Sequence, residues 1–126
     1  VAYAAKYLAR FNLKGFSMNS RQKGKRGELE AAKFLTAEGF PARRSQQYCG
    51  DTKGDSSDVL CECLPKLHFE VKRTERGNPY DWIAQAKRDA GEKLPVVMHR
   101  RNDSEWLAIL PAETFLVILR NSNFVE

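Results

Sequence analysis

Glu70-Val71-Lys72 places a carboxylate and an ammonium on one face of an extended segment. Strand alternation separates the two by about 7 Å along the chain and turns Val71 toward the other face. Alone, this triplet reads as a surface ion pair worth almost nothing. Asp58 changes that reading. It opens the preceding alternating run, and a hairpin between the two runs carries it across to Glu70. Two hard carboxylates at one point repel unless a cation lies between them. Oxygen ligands select Mg²⁺, with Mn²⁺ as a substitute, over zinc. Such an ion can orient a nucleophilic water and stabilise charge on a phosphodiester. Lys72 is then suited to position that water or to stabilise a pentavalent transition state. The backbone carbonyl of Val71 is a candidate extra ligand. Glu28 is a third carboxylate, provided that its helix packs against the sheet edge; by itself it reads as a helix-start glutamate favoured by the dipole.

The elements that must position these groups are legible as patterns. Leu29, Ala32, Phe34, Leu35 and Ala37 predict one apolar helix face between Arg26 and Glu38, with Gly39 as the C-terminal cap. Phe40-Pro41 begins an extended segment, and the Gly-, Asp-, Ser- and Thr-rich residues 48–57 predict an exposed loop. Asp58 to Cys63 alternates, with Val59, Cys61 and Cys63 on one side and Asp58, Leu60 and Glu62 on the other. Leu64-Pro65-Lys66 reads as a turn. Leu67, Phe69 and Val71 then alternate with His68, Glu70 and Lys72 to complete a hairpin. Asn78-Pro79 opens a helix carrying Trp82, Ile83, Ala86 and Ala90 on one side and ending at Gly91. Strands follow at Val96-Val97-Met98 and from Trp106 to Leu110, and a last helix runs from Pro111-Ala112-Glu113 through Leu119. The order helix, strand, strand, strand, helix, strand, strand, helix implies an α/β domain with a mixed central sheet flanked by helices.

With 126 residues, one domain is expected, over residues 18–126, preceded by a separate N-terminal segment, 1–17, in which Tyr3, Tyr7, Leu8 and Phe11 recur at helical spacing. Hydrophobic residues at 42% and charged residues at 29% argue against disorder, and no apolar run is long enough to suggest a membrane span. The formal charge of +5 favours a polyanionic partner through counterion release. Arg21, Lys23, Lys25, Arg26, Arg43 and Arg44 are the candidate phosphate contacts. Three cysteines, Cys49, Cys61 and Cys63, form an odd count that suggests free thiols in a reducing compartment, hence a cytoplasmic setting. Cys61-x-Cys63 with Cys49 and His68 would serve zinc poorly, because both strand sulfurs are expected on the core face. Ser45, Ser56 and Ser57 have no histidine partner nearby in sequence, so serine chemistry has no support.

The ordered set Lys23-Gly24, Glu28, Gly39-Phe40, Arg43-Arg44-Ser45, Asp58-Val59 and Glu70-Val71-Lys72 resembles the PD-(D/E)XK nuclease superfamily. Within it the set is similar to archaeal-type Holliday-junction resolvases and related phage endonucleases, over roughly residues 21–110. The resemblance implies a restriction-endonuclease-like fold with an αβββαβ core, Mg²⁺-dependent phosphodiester hydrolysis, a homodimer, and branched DNA as substrate. It implies Asp58 and Glu70 as metal ligands, Lys72 as the catalytic lysine, and Glu28 as a helix-borne carboxylate near the metal. Gln85 corresponds to a glutamine found in many relatives and is expected at the site. The segment before Asp58 is longer than in the compact resolvases and contains Asp51 and Asp55, so Asp55 rivals Asp58 as the motif aspartate. Two alternatives stay open: a non-catalytic nucleic-acid-binding module, and a restriction- or repair-type nuclease acting on duplex DNA.

Overall fold

The structure, a computed structural model, describes residues 20–45 and 57–126. The expectations for segment 1–17, Cys49, Asp51, Asp55, Ser56 and nearly all of the loop before Asp58 lie outside the described residues, as does the side chain of Arg21. The described elements are α1 (Ser20–Ala37), β1 (Arg43–Arg44), β2 (Val59–Leu60), β3 (Leu67–Arg73), α2 (Pro79–Ala90), β4 (Leu94–Arg100), β5 (Leu107–Ile109) and α3 (Ala112–Arg120). Their order is the expected one. They form one five-stranded mixed sheet, β1-β2-β3-β4-β5, in which only β3 and β4 run parallel. The parallel pair follows from α2, which carries the chain back from the end of β3 to the start of β4.

Helix α1 begins six residues before the expected start, and its buried face is rotated from the expected one. Leu29 is 48% exposed, whereas Ala31 and Ala32 are buried. The cause is a close approach at Gly27, where an added Cβ would meet Arg73 Cβ at 2.6 Å. The tightest contact selects small residues at i and i+4, Gly27 and Ala31, so the helix turns its smallest side toward β3 and Leu29 outward. Ala31, Ala32 and Leu35 pack on Val59, Phe69, Val96 and Met98 to form the main core. Truncating Phe69 to alanine there costs about 3–5 kcal/mol. The helix ends in a Schellman motif: Gly39 has φ 99°, Phe40 N–H donates to Leu35 O and Gly39 N–H to Thr36 O.

The opposite face of the sheet is covered by α2. Asn78 caps it by accepting from Tyr80 N–H, Pro79 occupies its first turn, and Ala86 and Ala90 are buried beneath it. Trp82 lies against His99 of β4 with ring centroids 4.6 Å apart. Trp106, partly buried, packs on Phe34 at the margin of the core, with centroids 6.2 Å apart.

A buried ionic knot fixes α1 lengthwise. Glu30 is 8% exposed and accepts from both Arg73, at the end of β3, and Arg100, at the end of β4. Removing one partner of a buried pair leaves an uncompensated charge and costs about 3–5 kcal/mol. Two residues earlier, Glu28 inherits that fixed position.

Strand β2 is shorter than its alternation suggests. Pairing covers Val59–Leu60, and the chain turns at Glu62-Cys63. Cys61 is buried but Cys63 is exposed, which corrects the expectation that both sulfurs face the core; their sulfurs lie 3.4 Å apart. Among the described residues, no group of three or more His, Cys, Asp or Glu side chains forms a ready-made metal cluster. No helix of the described residues is long and apolar enough to cross a membrane.

Candidate active site

Asp58 is clamped on both sides by backbone. Its N–H donates to Phe69 O at 2.9 Å, and its carbonyl accepts from Ser45 N–H at 3.0 Å. The register Val59↔Phe69 turns those two residues toward α1 and leaves Asp58 on the face that carries Glu70. There Asp58 Oδ2 accepts from the Val71 N–H at 2.9 Å and its carboxyl group hydrogen-bonds Glu70. Its rival Asp55 lies outside the described residues.

The two carboxyls hold a proton between them. Burial, and then the charge of Glu70, push Asp58 up to about 8, against a smaller opposite pull from the Val71 N–H. Glu70 goes the other way. Burial alone would raise it, but the hydrogen bonds from His68 and Asp58, with the charges of His68 and Lys72, outweigh that and hold it below the usual glutamate range. Near neutral pH the pair is therefore a protonated Asp58 donating to an ionised Glu70. A hard divalent cation could replace that proton, so this donor set fits Mg²⁺ or Mn²⁺.

Lys72 shares the Glu70 face and donates from Nζ to Gln85 Oε1 at 2.9 Å. These contacts bring Asp58, Glu70, Lys72 and Gln85 to one place. Glu28 arrives from the α1 side. Its Oε2 accepts from Arg44 Nε at 2.6 Å, with both side chains largely buried, and its charge contributes a smaller upward push on Asp58. It is near the pair without joining it.

Of the expected phosphate contacts, Lys23 and Lys25 are exposed on the first turns of α1, and Arg26 is half-buried. Arg43 is exposed and pairs with exposed Glu62 at 3.4 Å, a contact worth little.

Two residues were missed. His68 Nε2 lies 2.7 Å from Glu70 Oε1, and its Nδ1 lies 2.9 Å from Ser57 Oγ. Ser57 and His68 are each 1% exposed. Ser57 therefore does have a histidine partner, contrary to expectation, although eleven residues away in sequence. The chain Ser57–His68–Glu70 superficially resembles a hydrolase triad, but its sense is reversed: serine is on Nδ1 and the acid on Nε2. The hydroxyl is also buried where no substrate carbonyl could reach it. The available signal was the shared face of His68 and Glu70, two residues apart on one strand.

No curated protein and no solved structure matches this chain. A family model described as "Phage putative PDDEXK endonuclease" matches residues 19–125. That span holds the helix-borne glutamate, the Asp58–Glu70 pair and Lys72, and the chain belongs to this phage PDDEXK endonuclease family, within the PD-(D/E)XK superfamily.

Proposed function

We propose that the protein is a divalent-metal-dependent DNA endonuclease that hydrolyses phosphodiester bonds at Asp58, Glu70 and Lys72. The observation that carries this reading is the buried carboxyl pair, in which Asp58 is driven up to about 8 beside Glu70. Such a pair is a poor structural element and a good cation site. Asp58 and Glu70 would hold Mg²⁺ or Mn²⁺, with the Val71 carbonyl and Glu28 as further ligands. The bound cation would supply Lewis-acid stabilisation of charge on the phosphoryl oxygens and acidify a water.

The chain's own groups do the rest. Lys72 directs an ammonium at the cleavage point, and Gln85 holds that ammonium in place through its Oε1. Lys23, Lys25, Arg26, Arg43 and Arg44, with Arg21, bind backbone phosphates and set the strand's register. The water oxygen bonds to phosphorus as the bond to the leaving sugar oxygen breaks, and a proton passes to that oxygen. The intact acid–lysine set favours this over a non-catalytic binding module.

The finer reading is a homodimer acting on branched DNA, a four-way junction above all. It is supported by the apolar side chains that α3 exposes, Phe115 at 50% and Leu116 at 49%. A duplex-cutting repair or restriction role uses the same chemistry. Labelled linear, flapped and four-way DNAs, each incubated with Mg²⁺, Mn²⁺ or EDTA, test both levels. Cleavage that EDTA abolishes supports the endonuclease, and preference for the four-way substrate supports the junction reading. No cleavage of any substrate with either metal overturns the proposal.

A further inference from the structure

The Asp58–Glu70 pair has a buried support behind it, made of His68 and Ser57. Glu70 is 2% exposed, so its carboxylate has no solvent to orient it. His68 Nε2, 2.7 Å away, engages Oε1. An ionised carboxylate only accepts, so the ring must donate from Nε2. In the neutral ring Nδ1 is then the acceptor, and Ser57 Oγ, 2.9 Å from it, is the donor. The Glu70 end of the chain is the same in either ring state: Nε2–H donates to Glu70, and Nδ1 pairs with the Ser57 hydroxyl, which can donate or accept.

The connectivity makes this chain more than a local hydrogen bond. Ser57 immediately precedes Asp58, and His68 stands two residues before Glu70 on β3. The imidazole therefore ties the backbone step that carries one carboxylate to the carboxylate of the other. It fixes the rotation of the Glu70 carboxylate: Oε1 is committed to the ring, which leaves Oε2 for the Asp58 side. It also limits how far the Asp58 end of β2 can move from β3. A freely rotating Glu70 carboxylate could turn both oxygens away from Asp58. One held at Oε1 keeps Oε2 facing Asp58, where a small cation would exchange with the shared proton.

We propose that His68 and Ser57 are positioning residues for the divalent-cation site, holding Glu70 Oε1 so that Oε2 and the Asp58 carboxylate stay at ligating separation. This rests on the metal-dependent reading above and deepens it. Partners behind ligating groups change metal affinity or activity by about 10–100-fold when removed.

The experiment measures Mn²⁺ binding to the full chain by calorimetry or by the loss of free-ion EPR signal, without DNA. The variants are His68→Leu, His68→Gln and Ser57→Ala. Glutamine can present an amide N–H near the place of Nε2, whereas leucine cannot. We expect His68→Leu to weaken Mn²⁺ binding by about 10–100-fold. His68→Gln should stay within a few-fold of the parent, and Ser57→Ala should fall between the two. DNA affinity in EDTA should be unchanged in all three, a result that general loss of structure would not give. If His68→Leu fails to fold, judged by its thermal melt, Ser57→Ala against His68→Gln carries the test. Parental Mn²⁺ affinity in folded His68→Leu, or in Ser57→Ala where the leucine variant does not fold, overturns the inference. So does a His68→Gln variant as weak as His68→Leu. Absence of Mn²⁺ binding in the parent overturns the metal-dependent reading itself and is distinguished by the parent alone.

Discussion

Arg44 Nε donates to Glu28 Oε2 at 2.6 Å across the gap between β1 and α1. The Arg44 side chain is 23% exposed and the Glu28 side chain 18%, so the pair is shielded but within reach of a ligand. Arg44 is thus a candidate phosphate contact that holds a candidate metal ligand, and a DNA phosphate would compete for it. Exchange of Arg44 onto phosphate would release Glu28 toward Asp58.

Arg44→Ala separates the two roles. It should weaken DNA binding and lower the slope of log K against log salt by about 0.9, as loss of one phosphate contact does. Mn²⁺ affinity without DNA should rise or hold, because Glu28 is freed. Binding titrations at several salt concentrations check this, and an unchanged salt slope would remove Arg44 from the DNA interface.

Asp58→Asn should stabilise the metal-free protein while abolishing cleavage. The sign follows from linkage. Asp58 titrates at about 8 folded and near 3.8 as an unperturbed acid, so between those values the folded state holds a proton that the unfolded state has lost. This contribution is complete at low pH and disappears as pH rises through about 8. Asparagine removes the penalty. Its oxygen can accept from Val71 N–H and its amide can donate to Glu70, as the protonated acid does. Melting curves in EDTA should show the variant higher by about 3–8 °C at pH 8–9 and level with the parent near pH 4. The parent's Mn²⁺ affinity should also rise up to about pH 8, because the cation displaces the shared proton. A variant that melts lower at pH 8, or that still cuts DNA, contradicts the assignment.

Lys72→Ala tests chemistry against structure. The ammonium donates to Gln85, so losing it breaks one hydrogen bond at the site margin and no core packing. Cleavage should fall by about 10²–10³ in kcat, the scale for losing one transition-state donor, with the melting temperature nearly unchanged. Gln85→Ala should lower kcat less and leave KM alone, since it only unfastens Lys72. If Lys72→Ala unfolds and its folded fraction cuts normally, Lys72 is a structural ion-pair member.

Much of this arrangement was legible because it depends on short periods. Alternation put Asp58, Glu70 and Lys72 on one face, and Asn78-Pro79 with Gly91 bounded α2 to the residue. What escaped depends on tertiary approach. Leu29 reads as core by hydrophobicity, but the close contact at Gly27 decides which side of α1 faces β3. Glu30 carries no signal in the sequence pattern, and only the fold brings Arg73 and Arg100 onto it from two strands. Cys63 reads as strand until the chain turns. Ser57 finds His68 only because the β2–β3 register brings residues eleven apart into contact. No periodicity encodes such side-chain meetings.

The last helix presents the remaining question, how one site per chain would cut two strands. In α3 the buried residue is Thr114, while Phe115 and Leu116 are about half exposed and the nearby Phe124 is 88% exposed. Apolar side chains of this size left in water favour association, each worth about 1.5–3 kcal/mol if fully buried. A two-fold contact through α3 would pair two Asp58–Glu70 sites, as symmetrical cleavage requires. The protein should therefore sediment as a dimer at micromolar concentration, and Phe115→Ser combined with Leu116→Ser should make it a monomer. Because neither residue belongs to the site, the double variant should keep Mg²⁺-dependent nicking of plasmid DNA. Paired cuts on a four-way junction should become independent single cuts. A parent that sediments as a monomer with and without a junction removes the dimer and the junction reading together, and leaves single-strand nicking by Asp58, Glu70 and Lys72 as the activity to pursue.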